Sequence, residues 1–159
     1  MVSRANYQAE FFVPNTLSES ERGLLGKFIV QQIIDNCNNN IDKNGKPFRK
    51  YSEEYIDSLD FKIADKSKSD VNLQLTGDML ASIEVIKNQS GLLVIGYPVG
   101  SEYAGQVEGN QLVNGRWFLG LPKSQLNLLV AKVQSQSPRD MANTPKVDSL
   151  VQNILKRFL

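Results

Sequence analysis

The sequence predicts an α+β domain: a small antiparallel sheet packed against helices, with a long N-terminal helix and a C-terminal amphipathic helix. Three observations predict it. Apolar residues recur at three- and four-residue steps through Leu17, Leu24, Leu25, Phe28, Ile29, Ile33 and Ile34, the period of one buried helix face. Two apolar runs flank Asn88 to Gly91, and Val71, Leu73 and Leu75 alternate with polar neighbours, both marks of antiparallel strands. A last stripe of Val147, Leu150, Val151, Ile154, Leu155 and Phe158 returns to helical spacing. A helix, short strands, a hairpin and returning helices together describe a sheet covered on one face.

Taken in order, residues 1–13 show no period, and Phe11, Phe12 and Val13 are expected to dock as an apolar arm. Thr16, with Glu19 three residues on, has the spacing of a capping box and is expected to start the first helix, which should end between Asn36 and Asn40. Gly23 and Gly26 lie inside it at a cost of about 1 kcal/mol each against alanine, so close approach of a helix or a subunit, or plain tolerance, must account for them. Ser52 is placed to cap a short helix through Leu59, with Tyr51 and Tyr55 on its face. The polar stretch 64–70 reads as a loop, 71–75 as a strand, and Thr76 as the cap of a brief helix holding Met79, Leu80 and Ile83. Beyond the hairpin a short helix or turn is expected at Tyr103 to Val107, then a strand at Arg116 to Leu119. Pro122 then stands as the first residue of a helix whose apolar face is Leu126, Leu129, Val130 and Val133. The domain is thus expected to span 1–133, with a linker at 134–146 and a docking helix at 147–159.

Composition narrows the chemistry. With 159 residues and 41% hydrophobic content the chain suits one domain with a core. There is no histidine, which removes Ser-His and Cys-His pairs, imidazole bases and His-ligated zinc. The single cysteine, Cys37, has no partner for an internal disulfide and reads as a buried helix residue. Residues 1–100 carry a net charge of −2 and residues 101–159 of +3, too little for a surface that tracks phosphates. No apolar run reaches the roughly 18 residues of a membrane span, and a protein made in a cytoplasm, with no membrane partner, is expected.

The stretch NNNIDKNGKPFRKYSEEY, residues 38–55, imitates a calcium loop, with Asn40, Asp42 and Asn44 at alternate positions before Gly45. Yet the position of the bidentate glutamate holds Tyr51, Pro47 stands where a backbone pairing residue belongs, and only one carboxylate faces the supposed ion. A turn built on Asn-Gly is the reading, with no metal and no cofactor, and Asp42→Ala is expected to change stability by no more than about 0.5 kcal/mol. Thr76, Gly77 and Asp78 read as a helix start, and Glu53 and Glu54 as solvated surface. No catalytic constellation emerges. Arg116 and Trp117 form a candidate protein-interface anchor, since Arg and Trp are enriched at binding hot spots, although Trp117 also suits a core.

Four segments in order, GKPFRKYSEEY, LQLTGDMLASIEV, SEYAGQVEGN and GRWFLGLPKSQL, give the stretch from about 41 to 130 a resemblance to a family. It resembles the tail-completion and virion-morphogenesis proteins of tailed bacteriophages, the small proteins of the head-to-tail joint. That family has a G-x-P-F turn before a tyrosine-bearing helix, an L-T-G segment after a strand, a Y-A segment leading into a glycine loop, and an R-x-F-L-G-L strand before the last helix. Here Gln106, Val107, Glu108 and Gly109 stand where the family often has H-Q-F-G. The resemblance implies a non-enzymatic virion protein of the neck. It would form a homo-oligomeric ring, hexameric by analogy, that bridges the head connector and the tail, with DNA passing through and no base-specific binding. The other function class to weigh is a soluble tail-assembly chaperone or binding module absent from the mature virion. The stripe Val147, Leu150, Val151, Ile154, Leu155 and Phe158 is expected to dock on a neighbouring subunit or another neck protein.

Overall fold

The computed structural model describes residues 7–48, 50, 53–63 and 77–136. It is an α+β domain with a three-stranded antiparallel sheet. In chain order come β1 (Gln8–Phe12), α1 (Glu19–Asn38), α2 (Glu53–Ile56), α3 (Leu59–Ile63), α4 (Asp78–Ala81), β2 (Glu84–Gln89), β3 (Leu92–Gly96), α5 (Ala104–Glu108), a π-helix (Gly109–Val113) and α6 (Lys123–Ser135). The expected loop 64–70, strand 71–75, the caps at Ser52 and Thr76, most of the linker and the helix 147–159 lie outside the described residues.

The first helix begins two residues later than the motif at Thr16 suggests. Ser18 is its N-cap: its Oγ accepts from the Glu21 N–H at 3.2 Å, and Glu21 Oε1 accepts from the Ser18 N–H at 3.0 Å. Thr16 and Ser18 each stand three residues before a glutamate, so the motif fits both registers. The turn closed by Leu17 N–H on Pro14 C=O, with Leu17 buried, decides between them. At the other end Asn40 takes φ 59°, its N–H reaches Cys37 C=O at 3.2 Å, and the Ile41 N–H reaches Asn36 C=O at 2.8 Å. That is a Schellman close with asparagine in the left-handed position, where its cost is lower than for other side chains.

Leu25, Ile29, Ile33 and Cys37, four residues apart, are fully buried and lay α1 across β2 and β3 and against α6. Leu25, Ile29 and Ile33 each contribute about 1.5–3 kcal/mol on burial. The sheet order is β1-β3-β2, with β3 central and Leu93 and Ile95 fully buried. Gln8–Phe12, read from the sequence as part of an arm without period, pairs with β3 in register Phe11↔Leu93 and Ala9↔Ile95. The hairpin expected around Asn88 to Gly91 is present and tighter than expected, since β2 continues through Gln89 and only Ser90 and Gly91 turn, Gly91 at φ 78°. Ile86 bulges from β2, with Val85 opposite Ile95 and Lys87 opposite Val94.

Other expectations are corrected. The helix expected to run through Leu59 is two short helices, α2 and α3, parted at Asp57 and Ser58. Helix α4 starts from Gly77 at φ 83° with no side-chain cap. Pro122 is the N-cap of α6 and not its first residue, because its ψ of 141° is extended. Residues 134 and 135, assigned to the linker, complete α6. Arg116 to Leu119 is no strand, because its backbone bonds go singly to a loop, a helix end and a side chain rather than to a ladder.

The two glycines of α1 separate by environment. A Cβ on Gly26 would lie 2.7 Å from Val85 Cγ2, whereas one on Gly23 would meet nothing closer than Asn88 Nδ2 at 3.9 Å. Valine is stiff about χ1, so Val85 cannot swing aside cheaply. Gly26→Ala therefore overpacks the contact by about 1–3 kcal/mol, which outweighs a helix-propensity gain of about 1 kcal/mol. Gly23→Ala keeps the gain, about 0.5–1 kcal/mol. Urea midpoints should move in opposite directions for the two variants, and a shift of the same sign in both contradicts this account of the helix seat.

Candidate functional site

The loops after α1 and around Trp117 meet beside the sheet, and polar groups tie them together. Asp42 Oδ1 accepts from the backbone N–H groups of Asn44 at 2.8 Å and Lys46 at 2.9 Å, while Asn40 Oδ1 accepts from the Phe48 N–H at 3.1 Å. The carboxylate that imitates a calcium ligand thus closes an Asx turn. Gly45 follows at φ 83°, and Phe48 is buried just beyond.

Arg116 points inward. It is 8% exposed, its guanidinium donates to Lys50 C=O at 2.9 Å, and its own N–H reaches Asn110 C=O at 2.8 Å. Trp117 is half-buried; its carbonyl accepts from the Lys43 N–H at 2.8 Å, and the Lys43 ammonium lies 4.7 Å from the centre of its ring. Of the two residues expected to form a surface anchor, one therefore holds the 42–50 loop from within and the other leaves part of an aromatic face at the surface. The remaining candidates, Val147, Leu150, Val151, Ile154, Leu155 and Phe158, lie outside the described residues.

The hinge of this arrangement is the π-helix, which sequence reading missed. It continues α5 without a break, and the Asn114 N–H reaches Gly109 C=O five residues back at 3.0 Å. The wider turn carries Gln111 into the interior, 1% exposed, where its Oε1 accepts from the Leu119 N–H at 2.9 Å. It also leaves Leu112 and Val113, 53% and 73% exposed, as an apolar pair on the outer side. The stretch GNQLVN follows neither the 3.6-residue nor the two-residue period, so no amphipathic pattern announces it. One turn away, Asn110 Nδ2 contacts Met79 Sδ at 3.8 Å, and the buried Tyr97 hydroxyl donates to Met79 C=O at 2.6 Å.

A groove of about 560 Å3 beside this cluster is lined by all five residues of β1 together with Lys43, Trp117, Leu121 and Lys123. Among the described residues no three His, Cys, Asp or Glu side chains gather in a way that could hold a metal ion, and no helix is long and apolar enough to cross a membrane. Burial pushes the Cys37 thiol up from 9.0 to about 12, so it remains protonated near neutrality. A scan against protein-family models matches none, and searches of curated proteins and of solved structures find no relative.

Two predictions follow from these contacts. Asp42→Ala removes the acceptor of two backbone N–H groups, so it should cost about 1 kcal/mol, as loss of a helix cap does. This replaces the near-neutral outcome expected from sequence, and a denaturation midpoint equal to that of the parent protein would restore it. For Cys37, the folded state favours the neutral thiol, so its stabilising effect is complete below pH 9.0 and is lost as pH rises toward about 12. Thermal midpoints measured across that window should fall more steeply for the parent protein than for Cys37→Ala, and a thiol reagent at pH 7 should label the native chain only as fast as it unfolds.

Proposed function

We propose that this chain is a structural subunit of the head-to-tail joint of a tailed bacteriophage. It would close into a ring between the head connector and the tail, through which DNA passes without base-specific contacts. The observation that carries the reading is the order and spacing of the four resembling segments. The fold adds support, because described parts of all four belong to one bonded unit. Lys50 meets Arg116, Arg116 meets Asn110, and Asn110 meets Met79. Segments scattered over the chain that share one family's order also share one place in the fold, as expected of a common architecture.

A ring of identical subunits needs two different surfaces on each copy, joined head to tail through a rotation that closes. Leu112 and Val113 supply one apolar surface suited to such a contact. No chemistry beyond assembly is assigned: Asp42, Arg116 and Gln111 all engage the protein's own backbone.

Tailed particles purified from cells carrying the gene, analysed by quantitative mass spectrometry, test the reading. The expected result is a fixed small number of copies per particle, located at the neck by antibody labelling in the electron microscope. A chain abundant in the lysate yet missing from purified particles would instead identify an assembly chaperone. Leu112→Asp with Val113→Asp should leave the melting temperature within a few degrees, since exposed positions shift stability by no more than about 0.5 kcal/mol each, and should prevent incorporation.

A further inference from the structure

The groove beside β1 follows the edge of a strand rather than the face of the sheet. In an antiparallel ladder alternate residues direct both backbone groups to the same neighbour. The Tyr97 N–H donates to Tyr7 C=O and the Val13 N–H to Gly91 C=O, so the odd-numbered residues of this segment face β3. The N–H and C=O groups of Gln8, Glu10 and Phe12 therefore point away from the sheet and into the groove. Among the described residues no strand pairs with this edge. Residues from both faces of β1 line the groove, Ala9 and Phe11 as well as Gln8, Glu10 and Phe12, as in a channel that runs along the strand edge.

The groove offers about 560 Å3 beside the roughly 17 Å length of a five-residue strand. An added strand pairs edge to edge at a spacing of about 4.8 Å, whereas a second sheet packs about 10 Å away face to face, so an open strand edge takes one extended segment. The walls state the chemistry further. Phe12 is 76% exposed at one end of β1, and Trp117, Leu121 and Leu126 offer partly exposed apolar surface opposite. The far wall carries Lys43 and Lys123, while the strand side carries a single charge, Glu10.

We propose that the outer edge of β1 is a docking slot for one extended peptide segment of a partner chain, which joins the sheet as a fourth strand. Its backbone pairs with Gln8, Glu10 and Phe12. Alternate apolar side chains lie against Phe12, Trp117 and Leu121, and an acidic side chain lies toward Lys43 and Lys123. Main-chain pairing supplies affinity in this mode, and the flanking surfaces supply selectivity. The inference rests on the strand edge and does not depend on the virion reading; either can fail without the other.

The test uses a random dodecapeptide library selected on the intact protein. Glu10→Pro deletes the central outward N–H while leaving every β1–β3 bond in place, a position where an edge strand tolerates proline. Selected peptides should alternate apolar and polar residues, include Asp or Glu, and lose about tenfold or more in affinity for Glu10→Pro. Because that variant could misfold, the same peptides N-methylated at alternate amides provide a second measure. Methylation in one parity should abolish binding and in the other spare it. Amide exchange at Glu10 and Phe12 should be fast in the free protein and slowed by the peptide. The proposal is overturned by a selection that enriches nothing, by peptides indifferent to both the proline and the methyl parity, or by amides of Glu10 and Phe12 already protected in the free chain.

Discussion

Between Gly26 and the side chain of Val85 there is no space for a methyl group, and that contact sets how closely α1 rests on the sheet. From this seat the stripe Leu25, Ile29, Ile33 and Cys37 is buried as a unit against the hairpin and α6. Polar contacts then hold the helix at both ends. Near its start Arg22 Nε donates to Asn88 Oδ1 at 2.6 Å and its guanidinium to Leu17 C=O at 2.7 Å, while Asn88 donates to Glu19 C=O at 3.2 Å. Near its end the buried Asn36 and the half-buried Gln125 exchange amide hydrogen bonds, fixing α1 to α6. The apolar stripe supplies most of the free energy, and these directional bonds select one sliding position of the helix.

The other side of the molecule is organised differently. From Asn40 to Phe48 and from Asn114 to Pro122 the chain has little regular structure, and its shape comes from backbone groups answered one at a time. Asp42, Asn40, Arg116 and Gln111 each satisfy a main-chain group on a loop. Buried backbone must find partners wherever secondary structure does not provide them. Polar side chains here do what a ladder does elsewhere, so residues that look like ligands or surface anchors in the sequence turn inward. The edge of β1 lies against this part of the fold, open to a groove rather than covered by it.

Sequence by itself determined the elements whose periods are strong. The α+β class, the long first helix, a hairpin between Asn88 and Gly91, the short helix holding Met79 and Leu80, which ends at Ala81 before the Ile83 assigned to it, and the apolar face of α6 all follow from side chains repeating at the period of the backbone that carries them. The Asn-Gly turn at residues 44 and 45 was legible for the same kind of local reason. Tertiary structure decided what local chemistry left degenerate. Thr16 and Ser18 present the same cap motif, and the turn at Pro14 to Leu17 selects Ser18. Gln8–Phe12 lacks a clean alternation because strand β1 is short and lies at an edge, so only pairing with β3 made it a strand. Arg116 to Leu119 has strand-like composition but only single backbone bonds, to Lys43 and Asn110, in place of a ladder, and Gln111 holds it through a π turn that no period announces. The candidate site was legible in its residue types and not in their orientation, because which way Arg116 and Trp117 face depends on bonds to Lys50, Asn110 and Lys43, residues 6 to 74 positions away along the chain.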